Sequence, residues 1–244
     1  MMKHLKTIIG IAVLCALFSC AKSQSDGRGQ VVFKVASNQT VADVTKSNVS
    51  DYTNLPSAGE FTITIKDASS ALVWTGKISD WDPTTVLLAG EYTVEAVFGA
   101  LESEGFNKPY FYGSKSFTVV GSESTAVTVP VALANTIIKI TCTETFKNYF
   151  KNYEFKLTRD GDAVVLFAKD EERAAFIDGY KIKVEGVLTS ETKIHNFSKE
   201  YTNLNEATAY TLIFDASNVG GSTITISFND MVEEIELGNI ELND

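Results

Sequence analysis

Three features predict an all-β protein built from β-sandwiches. Short segments alternate apolar and polar residues with a period of two, and Gly, Asp, Asn and Ser separate them. No long stretch carries the 3.6-residue apolar period of a packed helix. The series of segments also restarts near Ala134-Asn135. Together these predict two tandem antiparallel β-sandwich domains of Ig-like or transthyretin-like type, over residues 30–134 and 135–244. The composition agrees with a folded chain: 44% of the 244 residues are apolar, 11% aromatic and 21% charged. With 31 acidic against 21 basic residues, the net charge of −10 argues against nucleic acid as a partner, because phosphate binding needs clustered Lys and Arg.

The strands follow in order. Val31 to Val35 opens, and Phe61 to Lys66 places its odd positions on an apolar face. Ala71 to Trp74, Tyr92 to Phe98, Ser116 to Val120 and Ala126 to Val131 complete the first series. Ile137 to Thr143, Tyr153 to Thr158, Ala163 to Phe167, Tyr180 to Val187, Tyr210 to Phe214 and Thr223 to Phe228 make the second. The acidic segment Val232 to Leu242 reads as a closing strand. One helical turn is expected at Thr145 to Phe150, where Phe146, Tyr149 and Phe150 fall at helical spacing and would form a hydrophobic lid over one end.

The first nineteen residues read as a targeting segment. Lys3, His4 and Lys6 precede an apolar run from Ile8 to Phe18, far short of the roughly 20 residues that cross a bilayer. Leu17-Phe18-Ser19-Cys20 resembles the bacterial lipobox, in which Cys20 is diacylated and becomes the mature N-terminus. The other reading is an ordinary secretory signal with an incidental cysteine. Residues 20–29 are then a polar tether, and Ala21 after the cysteine favours the outer membrane. Without the leader, 19 basic residues face 31 acidic ones, and Cys142 is the remaining cysteine besides Cys20. No intramolecular disulfide or thiolate metal site can be built from it, and its parity with Ile138 and Ile140 aims it into a core.

The two halves repeat each other. Phe61 to Ile65 aligns with Tyr153 to Leu157, Leu88 to Val94 with Ile177 to Ile182, and Phe117 to Val119 with Tyr201 to Asn203. Leu88-Ala89-Gly90-Glu91-Tyr92-Thr93-Val94-Glu95-Ala96 resembles a segment of many Bacteroidetes surface modules: a tight turn at Gly90, then a strand with Tyr92, Val94 and Ala96 on one face. With Pro109 to Val119, Val127 to Asn135, Tyr149-Phe150 and Asn152 to Phe155, the chain from about 20 to 242 resembles two-domain Bacteroidetes lipoproteins of unknown function, akin to fimbrillin-like adhesins. The resemblance implies a place in the cell envelope, and with the lipid anchor on Cys20 the protein is expected at the outer membrane, on the cell surface or on the periplasmic face. It also implies an adhesive or fimbria-associated role, with envelope or fimbrial proteins or host and glycan ligands as partners. It brings no catalytic residues. Fimbrillins that polymerise by strand exchange lose their first strand to an arginine-directed cut. Here arginine occurs at Arg28, before the first strand, and at Arg159 and Arg173 in the second half, although Lys46 could serve a lysine-directed enzyme. The chain therefore reads as anchored rather than polymerising.

The residues offer little for catalysis, and neither an enzymatic activity nor a cofactor is expected. His195 is the one histidine after the leader and reads as an ordinary solvated side chain. No nucleophile-elbow, phosphate-loop or metalloprotease motif occurs. Asp80-Trp81-Asp82-Pro83 sets two carboxylates beside an aromatic ring, which fits either a turn with Trp81 plugging a core or a sugar contact. A glycan-capture lipoprotein built on that contact is the alternative function, and it requires an exposed Trp81. Tyr110 and Tyr112 flank Phe111 on one strand, giving a second candidate contact patch. The acidic runs Asp170 to Glu172 and Glu233-Glu234 lack the spacing of a calcium loop and read as solvated. No metal is expected.

Overall fold

The computed structural model describes residues 27–38, 47–159, 162–216, 223–228 and 231–236. The leader, Cys20 and most of its tether, Lys46 and the end of the closing segment lie outside these residues. The strands are β1 (Arg28–Asn38), β2 (Thr62–Asp67), β3 (Leu72–Lys77), β4 (Val86–Leu88), β5 (Gly90–Phe98), β6 (Gly105–Phe106), β7 (Phe111–Val119) and β8 (Ser124–Leu133). They continue as β9 (Thr136–Cys142), β10 (Asn152–Arg159), β11 (Asp162–Phe167), β12 (Ala175–Ile177), β13 (Lys181–Thr189), β14 (Ile194–Thr202), β15 (Ala209–Ala216), β16 (Thr223–Phe228) and β17 (Met231–Glu236). One α-helix, α1 (Glu144–Tyr149), stands between β9 and β10. The fold is a β-sandwich architecture, as the alternation predicts.

The same pairing scheme appears twice. In the N-terminal half the order is β3-β2-β5-β7-β8-β1-β4; in the C-terminal half β11-β10-β13-β14 forms one sheet and β17-β16-β15-β9-β12 the body of another. The hairpin β2-β3 corresponds to β10-β11, β5 to β13, β7 to β14 and β4 to β12. All three internal alignments read from the sequence fall on these corresponding strands. The first strand of each half pairs in parallel with a later one, β1 with β8 and β9 with β15, where the sequence predicts antiparallel neighbours. Periodicity reports which face a residue occupies, but a half-buried strand alternates identically in either direction.

The N-terminal sheet folds into two layers at the β7–β8 corner. The two strands share only the pairs Phe111–Leu133 and Tyr112–Ala132 and then diverge. Gly113 permits the crossing: a Cβ there would lie 1.9 Å from the Pro130 carbonyl oxygen. Between the layers sit Val31, Phe33, Ile63, Ile65, Val94, Phe111 and Val129, all buried.

The second apolar cluster gathers Ile138, Ile140, Phe146, Phe155, Leu157, Val184, Leu188, Phe197, Leu212 and Phe214. The two clusters meet on one sheet, because alternate residues of β9 and β12 serve different sides. Ile137 and Phe176 belong to the N-terminal cluster, whereas Ile138, Ala175 and Ile177 belong to the C-terminal one. From the N-terminal half, β6 pairs with β12, extending the other half's sheet by a strand. Glu104 beside it reaches Arg159 at 3.1 Å and accepts the Asp178 amide hydrogen at 2.7 Å. Phe106 packs edge-on against Phe167, and the Arg173 guanidinium lies over the Phe106 ring. Asn135 accepts the Tyr110 amide hydrogen through its side chain and that of Ala207 through its carbonyl.

The junction sets a direction along each half. Leu133, Phe98 and Tyr110 end strands or loops at the junction, so Arg28, Gly90 and Val119 mark the remote end of the N-terminal half. In the C-terminal half Arg159, Asp178 and Thr136 lie at the junction, and Cys142, Asn152, Thr189 and Ile194 mark its remote end.

Candidate binding cleft

A cavity of about 270 Å³ opens at the remote end of the C-terminal half, between β9, α1, the start of β10 and the loop after β11. Local sequence builds its wall. Thr143 caps α1, its Oγ1 accepting the Phe146 amide hydrogen at 3.2 Å and donating to Asp215. That fixes the helix so that Phe146 drops into the core against Phe150, Tyr153 and Phe214, as the expected lid does. Lys147, one residue on, turns into the opening. Asp170 adopts φ of 62° in the loop, and its Oδ1 accepts the Tyr153 hydroxyl hydrogen at 2.7 Å. Lys147 Nζ stands 4.0 Å from the same carboxylate, and Lys169 lies over the Tyr153 ring.

Burial governs the ionisation of Cys142 and Tyr153, which line this cleft. Burial pushes the Cys142 thiol up to about 12, although Lys147 opposes the shift. Burial, reinforced by the hydrogen bond to Asp170, raises Tyr153 as well. Neither group is an anion near neutrality, so the cleft presents a neutral thiol and phenol, the Lys147 ammonium and the carboxylates of Asp170 and Glu171 around the rings of Phe155 and Phe167. The Arg173 side chain holds the Glu171 carboxyl below its usual range. Among the described residues no group of three or more His, Cys, Asp or Glu is placed to hold a metal ion. Cys142 sits on the core face that its parity predicts, but at the cleft wall and only partly covered. Alkylation of Cys142 in the folded protein should therefore run at least about tenfold slower at pH 8 than in the unfolded chain. Mass spectrometry after iodoacetamide treatment, with and without urea, measures it.

The residues singled out in the sequence lie elsewhere. Trp81 is 8% exposed, its Nε1 donates to the Val31 carbonyl at 2.9 Å, and its ring meets Phe33 and Trp74 edge-on. Both ring faces are enclosed and the N–H is used, so the stacking platform required by the glycan-capture reading is absent at Trp81. Asp80 ends a short 3-10 turn, and Asp82 binds the Thr84 hydroxyl and amide, which lower its pKa. These are turn-forming roles at the surface. Tyr112 faces outward with 43% exposure, Phe111 is fully buried, and Tyr110 is half-buried at the junction. The structure does not bring Trp81, Asp80 and Asp82 together with the two tyrosines, nor either group with the cleft.

His195 also differs from expectation. It is buried, its ring edge-on to Phe150, and its Nε2 has no hydrogen-bond partner among the described residues. The alternation in β14 turns Ile194 outward and His195 and Phe197 inward. Apolar Ile194 had obscured that parity. Burial lowers the His195 pKa, so the folded state favours the neutral ring. Stability is then complete above the unfolded value of about 6.5 and declines below it until the folded ring also titrates. Melting temperature measured between pH 8 and 5 should fall below pH 6.5, and His195→Gln should flatten that part of the curve.

The match to known proteins is one of family. A model for a domain of unknown function, DUF4493, matches residues 27–243. The chain belongs to the DUF4493 family. No curated protein matches its sequence. Among solved structures it is similar to a fimbrial assembly protein from Parabacteroides distasonis, with 8% identity, a TM-score of 0.48, and coverage of 85% of this chain and 98% of that one. A candidate polysaccharide-binding protein from Bacteroides thetaiotaomicron is 14% identical, with a TM-score of 0.45 and coverage of 85% and 98%. The fimbrial anchor protein Mfa2 from Porphyromonas gingivalis is 9% identical, with a TM-score of 0.38 and coverage of 84% and 98%.

Proposed function

We propose that this member of the DUF4493 family is a lipid-anchored outer-membrane binding module, adhesin-like or fimbria-associated, whose two halves are tandem sandwich domains divided near residues 134 and 135. The observation that carries the reading is the polarity of the molecule. The lipobox-like Cys20 lies seven residues before Gly27, at the remote end of the N-terminal half, whereas the cleft opens at the remote end of the other. The junction through β6, Glu104 and Asn135 couples the two halves, so the anchored end and the ligand-facing end are separated by the length of both. Arginine placement supports an anchored rather than polymerising subunit. Arg28 is the first residue of β1, so a cut after it leaves the strand in place between β4 and β8.

A test is adherence of cells displaying the full chain to epithelial or partner-bacterial surfaces, with surface amounts matched by antibody. Asp170→Asn and Lys147→Ala should each reduce adherence severalfold, because they remove the paired charges of the cleft. Adherence equal to wild type in both variants, at equal display, would overturn the assignment of ligand contact to this cleft.

A further inference from the structure

We propose that the outer face of the β4-β1-β8 layer is a membrane-docking surface that lays the N-terminal half against an anionic phospholipid bilayer. The proposal rests on the reading of Cys20 as lipidated. Strand register defines the face. Leu88 stands beside Arg28, and Val86 beside Gln30 and Ser124. Val32 then pairs with Ala126, Lys34 with Thr128 and Ala36 with Pro130. The alternate residues Leu87, Val31, Phe33, Val127 and Val129 point into the core, so this series points out.

Its composition is unusual for the molecule. Leu88 is 62% exposed and Val86 44%, and the rest are small, apolar or uncharged apart from Arg28 and Lys34. Among the described residues no carboxylate occupies the face, although the chain carries 31 acidic against 21 basic residues. Glu123, in the turn after β7, stands at its border. The outer face of the β10-β13-β14 sheet shows the contrast: Lys156, Lys181, Lys183, Glu185 and Glu200 mix both signs and pair at 2.6–3.8 Å. Exposed aliphatic residues with lone cations and no anions suit a headgroup region of negative potential, where the apolar side chains enter the acyl boundary and Arg28 and Lys34 meet phosphates.

The tether decides the occupant. From Cys20 to Gly27 is seven residues, which span at most about 25 Å when fully extended and about 15 Å as a flexible coil. The Ala89 amide bonds the Gly27 carbonyl and the Ser122 amide bonds that of Arg28, so the chain enters the fold beside Leu88. Val120, also exposed, lies at the same end, its carbonyl against Gly29. An acyl anchor on Cys20 therefore keeps Leu88, Val86 and Arg28 within about 25 Å of a bilayer surface. Docking then needs only reorientation, without a second diffusional encounter.

The test uses the full-length protein purified from membranes, carrying Cys142→Ala and an environment-sensitive fluorophore on Leu88→Cys or, as control, on Ile194→Cys at the remote end of the other half. Both positions are exposed, so folding is preserved. Each protein is reconstituted into vesicles of phosphatidylethanolamine and phosphatidylglycerol containing spin-labelled lipid, and floated on a gradient. The expected result is flotation of both, with emission at position 88 blue-shifted and quenched and position 194 unaffected. Adding Arg28→Gln and Lys34→Gln, or raising salt, should reverse the shift at 88. Flotation with equal, unquenched emission at the two positions overturns the docking face and leaves the anchor intact. Failure to float overturns the anchor, and the docking face falls with it.

Discussion

Replacing Phe155 by alanine is expected to cost about 3–5 kcal/mol. Phe155 is fully buried at the centre of the C-terminal cluster, its ring 4.3 Å from that of Phe214 and within 6.3 Å of Phe146, Tyr153 and Phe197. The void cannot collapse easily, because each neighbouring ring is held from another side. Phe146 hangs from the capped helix. Phe197 lies over Gly186 so closely that a Cβ there would be 1.9 Å from its Cε1. Urea unfolding of the mature chain measures the cost, and Phe155→Leu, which refills most of the volume, should lose about 1.5 kcal/mol or less. A loss below about 1 kcal/mol for the alanine variant would mean the aromatic cluster is not packed as described.

The second large effect is at the junction. Glu104→Ala should cost about 1–3 kcal/mol, because it removes one carboxylate partner from Arg159 and the acceptor of the Asp178 amide at once. The cost falls below that of breaking a fully buried pair, since Arg159 is one-third exposed while Glu104 is nearly enclosed. Glu104→Gln should cost less, keeping an acceptor for Asp178 while losing the charge. Combining Glu104→Ala with Phe106→Ala removes the side-chain fastenings of the β6 segment, those of Glu104 to Arg159 and Asp178 and those of Phe106 to Phe167 and Arg173, leaving its backbone pairing with β12. Calorimetry of that double variant should show the two halves melting separately where the parent melts once. A single transition persisting in it would place the coupling in the apolar contact of Ile137 and Phe176 instead.

Most elements legible in the sequence have a pattern longer than a turn. The nine-residue β14 is nevertheless absent from the expected strands, because exposed Ile194 and buried His195 invert the usual alternation at its start. Thr223 to Phe228 coincides with β16, and Tyr153 to Thr158 lies one residue inside β10 at each end. The internal alignments found the corresponding strands because residues at matching lattice positions face matching cores. β6 and β12 escaped because two or three residues have no period, and both faces of β12 are buried, so it does not alternate at all. They exist because each supplies the other's backbone partners. The cleft was unreadable for a related reason: Cys142, Lys147, Tyr153 and Asp170 come from a strand end, a helix, a strand start and a loop. The acidic run at 170–172 was visible, but its use, accepting from Tyr153 and pairing with Lys147 and Arg173, depends on neighbours that only folding provides. At Trp81 two exposed aspartates flank a buried ring, and that local polarity hid its 50-residue reach to Val31.

The central claim is a molecule held by its N-terminal end with the C-terminal cleft facing outward. Treating intact cells with a protease that cannot cross the outer membrane, and probing for the C-terminal half, tests it most directly. Loss of that half from intact cells is the predicted result, with lysed cells serving as the control for cleavability. Full protection in intact cells, with ready cleavage after lysis, would contradict it and place the cleft on the periplasmic side.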